Sequence, residues 1–128
     1  MNKGYIAITS ALIISILLMA IVFAVSASGY FAQANTVSAL LKAEGRELAD
    51  TCASMALLRL QENRDEYAGN QIVTIGAENC RILPIIEGGD GFIIKTTSNI
   101  QGAITNIQVR VRETDELEII SWGEVASF

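Results

Sequence analysis

Residues 5–25 are almost wholly apolar, and no charged residue occurs between Lys3 and Lys42. A run of this length meets the roughly 20 apolar residues needed to cross a bilayer. Over residues 31–66 the pattern changes. Alanine, leucine, glutamate, lysine, arginine and methionine dominate, all of them good helix formers. Val37, Leu41, Leu48, Cys52 and Met55 fall on one face at about 100° per residue, with Glu44, Glu47, Glu62 and Asp65 mostly elsewhere. Ala68-Gly69-Asn70 supplies a stop, so the helix is expected to reach about residue 67. Gly29 is a weak point for a helix, but no proline follows it. One continuous helix is therefore expected, a pair of helices joined near Gly29 being the alternative.

After Asn70 the period shortens to that of strands. Residues 71–75, 80–86, 92–97, 105–111 and 117–122 form short β-rich runs separated by turn residues. Pro84 marks an edge or a bulge in the second run. Residues 87–91, Glu-Gly-Gly-Asp-Gly, read as the clearest loop in the chain. In the fourth run Ile107, Val109 and Val111 alternate with Gln108, Arg110 and Arg112. An antiparallel meander is expected, with one face covered by the apolar side of the helix. The fold class is therefore α+β: a long N-terminal helix, half membrane-spanning and half amphipathic, packed on a small antiparallel sheet. The segments divide as 1–4, a leader; 5–29, a transmembrane helix; and 30–128, a head whose sheet covers 71–122.

The chain has 128 residues, and apolar residues make up 51% of it, against roughly 45–50% in ordinary domains. The N-terminal run carries that excess. There is no histidine, which excludes Ser/His/Asp catalysis and the commonest metal ligand. Net charge is −5, so nucleic-acid binding through a dominant basic patch is not expected. Asp115-Glu116 reads as a solvated turn, and the 87–91 loop lacks the ligand spacing of a calcium loop. No catalytic, metal or cofactor site is expected, and no residues support an enzyme. Cys52 and Cys80 are the only cysteines. An even count behind a hydrophobic N-terminus points to a disulfide in an oxidising compartment, the alternative being two buried thiols. Cys52 lies on the buried helix face and Cys80 at the start of the second run, so a bond between them would pin helix to sheet.

Three readings compete for the N-terminus. A secretory signal has an apolar core of about 7–15 residues, shorter than this run, although Val25-Ser26-Ala27 resembles a cleavage site. A plain anchor fits the length, with Lys3 on the cytoplasmic side. The third rests on Met1-Asn2-Lys3-Gly4 followed at once by Tyr5-Ile6-Ala7-Ile8. A short basic leader ending in glycine and an unbroken apolar helix resembles a type IV prepilin signal. That resemblance implies cleavage after Gly4 and methylation of Tyr5 by a prepilin peptidase. Most members of the family carry glutamate at the fifth mature position, where this chain has Thr9. Its absence resembles the PilX-like minor pilins and the tip pseudopilins of type II secretion. The helix–strand cysteine layout around Tyr67-Ala68-Gly69-Asn70 is similar to theirs.

The resemblance implies a minor pilin or pseudopilin, a structural subunit of a type IV pilus or a secretion-type pseudopilus. Its assembly helix, including Ile6, Thr9, Leu12 and Ile16, would pack with those of other subunits. Thr9, Ser10 and Ser15 are small polar residues of the kind that aid helix association in bilayers, although such residues occur in lone anchors too. The amino terminus would be cytoplasmic and the head extracytoplasmic, entering a fibre after assembly. The alternative is an uncut, single-pass binding module such as an adhesin or receptor head. Taking Leu48 as the centre of the packed helix face, Leu57 and Leu60 point away from the sheet and are candidates for subunit contacts. On the last strand, Glu118 marks the outer face, so Ile120 and Trp122 are expected to share it by alternation and are further candidates.

Overall fold

The computed structural model describes residues 3–128; Met1 and Asn2 of the expected leader lie outside the described residues. One helix, α1, spans Lys3–Glu62. Six strands follow: β1 (Gly69–Ile75), β2 (Glu78–Pro84), β3 (Ile86–Gly88), β4 (Gly91–Ile100), β5 (Ala103–Glu113) and β6 (Leu117–Val125). The chain divides into two compact units, one ending at Val37 and the other running from Ser38 to Phe128.

In the first unit the backbone is helical through Gly29. Its hydroxyls turn inward on their own helix. Thr9 Oγ1 donates to the Tyr5 and Ile6 carbonyls at 3.0 Å, Ser15 to Ala11 at 2.8 Å and Ser26 to Val22 at 2.8 Å. Each hydroxyl thereby satisfies its donor without water, which an apolar surrounding demands. The large apolar side chains of this segment point outward and are exposed.

In the second unit, the rest of α1 packs on one face of an antiparallel sheet with order β1-β2-β4-β5-β6, β3 pairing with β4. The fold is α+β. The packed helix face is made of small residues: Gly45, Ala49, Cys52, Ala53 and Ala56 are buried, flanked by Leu48 and Leu60. Across from them stand Cys80, Ile82, Phe92, Ile94, Ile100, Ile107, Val109 and Val111. Without large side chains between them, the sheet reaches the helix backbone. Thr96 Oγ1 donates to the Ala49 carbonyl at 2.9 Å, and Ser98 Oγ to the Gly45 carbonyl at 2.5 Å. A Cβ on Gly45 would press on Thr105 Oγ1 at 3.2 Å, so a side chain here would require that hydroxyl to give way. Cys52 and Cys80 form a disulfide with Cα atoms 6.5 Å apart. In the chain-entropy account, closing a loop across 28 residues of separation stabilises the fold by about 3–4 kcal/mol.

Three boundaries differ from expectation. The helix ends at Glu62 rather than near residue 67. Asn63 and Asp65 are of the type that favours local bonding over helix, and Arg64 is drawn to the β5–β6 turn, donating to the Thr114 and Asp115 carbonyls. The sheet covers 69–125 rather than 71–122. The expected loop at 87–91 is mostly a hairpin: β3 pairs with β4 through Ile86↔Ile93 and Gly88↔Gly91, leaving Gly89 and Asp90 as the turn. Pro84 does mark a bulge. Between Ile82↔Thr96 and Ile86↔Ile93 the strand carrying Pro84 uses one residue more than its partner, splitting β2 from β3.

Candidate functional site

The N-terminal candidates lie on exposed helix. Nothing lies within 4 Å of a Cβ built on Gly4, so its backbone is bare on that side. Tyr5, Ile6, Leu12 and Ile16 are all exposed, each by more than half of its surface. The hydroxyl of Thr9 faces back to its own backbone. The helix is long and apolar enough to cross a membrane.

The contact candidates on the head need correction. Leu60 is fully buried and belongs to the core, and Leu57 is half-buried against it. The error lay in centring the packed face on Leu48. The true centre lies near Ala56, about 80° further round at 100° per residue, which brings Leu60 inward. A face of small residues gives no signal when only large apolar side chains are followed. The exposed leucine of this stretch is Leu58.

Trp122 also lies on the opposite side from that expected. It pairs with Val109, whose side chain is buried under the helix, and its Nε1 donates to Asp50 Oδ1 at 2.6 Å. The reason is a bulge in β6. Val111 pairs with Ile119 and Arg110 with Ser121, so Ile120 is the extra residue and alternation resets there. Glu118, paired with Arg112, stays on the outer face, while Trp122 is on the helix side. Ile120 is exposed, as expected.

The head's charged groups sort by face. Beside the helix, Lys42 Nζ donates to the Ile104 carbonyl at 2.6 Å and pairs with Glu124 at 2.7 Å. Glu44, Glu47 and Glu78 ring a shallow cavity of about 250 Å³ whose floor is Leu48, Ile75 and Ile100. On the sheet's outer face, register places Arg81 beside Thr97, Lys95 beside Gln108, and Arg110 beside Ile93. Gly88 and Gly91 leave a second hollow of about 360 Å³ there, lined also by Asp90, Ile93, Arg110, Arg112 and Ile120. Phe128 lies over Lys95, its ring centre 5.1 Å from the ammonium. This basic face was not anticipated from the net charge, because the acids that outweigh it are elsewhere. The alternation of Gln108, Arg110 and Arg112 was the signal available.

At the end of the helix, Arg59 Nη1 donates to Gln71 Oε1 and Gln71 Nε2 to the Tyr67 hydroxyl, both at 2.7 Å. Burial raises the Tyr67 pKa above its ordinary value, opposed by the charge of Arg59 and the bond from Gln71. Among the described residues, no group of three or more His, Cys, Asp or Glu side chains is placed to hold a metal ion. No family model, no curated protein and no solved structure matches the chain.

Proposed function

We propose that this chain is a pilin-type structural subunit, a minor pilin or pseudopilin, inserted in the cytoplasmic membrane with its head outside. The observation that carries this reading is the helix α1 itself. Its first part is apolar on all sides and exposed, and its last part, in the same helix, is the packed layer of a disulfide-stapled antiparallel sheet. An exposed apolar helix needs lipid or other helices around it. Lys3-Gly4-Tyr5 at the head of the apolar run supplies the processing signal, and the disulfide suits an extracytoplasmic head. The subunit's partners are the prepilin peptidase and the helices of other subunits. Thr9 in place of the family's glutamate favours a minor role over that of bulk fibre protein.

Substitution at the cleavage position tests the reading. Gly4 has open space around its Cα, and a glycine lets a protease approach the backbone closely. Gly4→Leu, expressed with a prepilin peptidase, is expected to accumulate as full-length precursor in the membrane. A variant still processed to a start at Tyr5 would contradict the proposal.

A further inference from the structure

The first unit contains a single charged side chain, Lys3, besides the amino terminus, so the head holds nearly all of the charge available for recognition between subunits. There the charges are segregated. All of the 14 acids lie in the second unit. By register, the strands of the outer sheet face carry Arg81, Lys95, Arg110 and Arg112 against one acid, Glu118, which pairs with Arg112 at 3.5 Å, and Asp90 of the β3–β4 turn adds a second beside the hollow. Arg81, Lys95 and Arg110 make no ion pair among the described residues. Beside these cations the same face exposes apolar surface at Ile72 and Ile86, and the hollow over Gly88 and Gly91, next to Arg110, is walled by Ile93 and Ile120. The flank beside the helix shows the inverse: Glu44, Glu47 and Glu78 around an apolar floor of Leu48, Ile75 and Ile100.

We propose that the cationic outer face of the sheet docks on the acid-rimmed flank of a second copy of this chain. Three cations without ion pairs, Lys95 among them under the Phe128 ring, face three carboxylates, and each side adds apolar surface, the pattern of an interface with complementary charge. The two surfaces are different patches of the head, so the contact is heterologous. A duplex nucleic acid would also meet the basic face, but the acids of the rest of the head would repel it, whereas a second copy presents those acids as the partner. This contact deepens the subunit reading and rests on it only for its setting, since heads on uncut anchors could pair in the same way.

A charge-swap experiment on the full chain in neutral detergent tests the contact, with oligomers read by native mass spectrometry. One variant carries Arg81→Glu, Lys95→Glu and Arg110→Glu, and the other Glu44→Lys, Glu47→Lys and Glu78→Lys. Each alone presents like charges on both patches and is expected to remain monomeric where the wild-type chain associates. Mixing the two places opposite charges across the contact in both directions, the native one and its reverse, and is expected to restore association. Monomers in the mixture, with both variants melting as wild type, would overturn the proposal, as would wild-type association by either variant alone. Should a triple variant not fold, the wild-type chain still decides. Its association is expected to fall about tenfold between low salt and about 0.5 M NaCl, and association indifferent to salt would overturn the contact. Binding of a DNA duplex by chains that do not self-associate would overturn it in favour of a nucleic-acid face. The state of the N-terminus, read from the same spectra, reports separately on the subunit reading.

Discussion

At the scale of single residues, the head depends on a few positions where side-chain size sets how closely backbones meet. Gly91 is the sharpest. It pairs with Gly88 on one side and Arg112 on the other, and a Cβ there would overlap the Val111 carbonyl oxygen. Gly91→Ala must push β4 from β5, an overpacking cost of about 1–3 kcal/mol. Denaturant unfolding of oxidised protein should show that loss, and an unchanged midpoint would mean the strands have room to part. Tyr67 makes a pH-dependent contribution. Its folded pKa is raised, so the neutral phenol is favoured in the native state. Above the ordinary value of 10.0 the unfolded chain releases this proton first, and stability falls as pH rises from there toward the folded value. Tyr67→Phe is expected to flatten that part of the stability–pH curve. An equal fall in the variant would assign it to other groups.

At the scale of elements, the packing of α1 decides which apolar residues are core and which are free. Leu60 is fully buried and Leu58 is 61% exposed, two positions apart on the same helix. Leu60→Ala should cost about 2–5 kcal/mol as a core truncation, while Leu58→Ala should shift the melting temperature little. Equal effects would show that the helix sits in a different rotation on the sheet. The long helix, the antiparallel order of the sheet, the Pro84 bulge and the Cys52–Cys80 bond were legible from periodicity, turn residues and cysteine placement. The rotation of the helix was not, because its packed face is built from Gly45, Ala49, Ala53 and Ala56, which register weakly on any apolar pattern. Nor was the face of Trp122, since one extra residue at Ile120 inverts every position after it and leaves no mark in composition. The hairpin at 86–93 was hidden by glycines that here form strand ends as well as the turn.

At the scale of the whole molecule, the chain joins an apolar helical segment carrying one charge to a head that carries all the rest. In the proposed reading, insertion and helix packing between subunits belong to the first, and charge recognition of neighbours to the second. That division of labour is what a membrane-assembled subunit requires, and it locates the central claim at the N-terminus. Mass spectrometry of the protein recovered from the membranes of cells that possess a prepilin peptidase tests it most directly. The account predicts a mature chain that begins with N-methylated Tyr5. A chain that still carries Met1-Asn2-Lys3-Gly4 in those membranes would contradict it and leave an uncut anchored head.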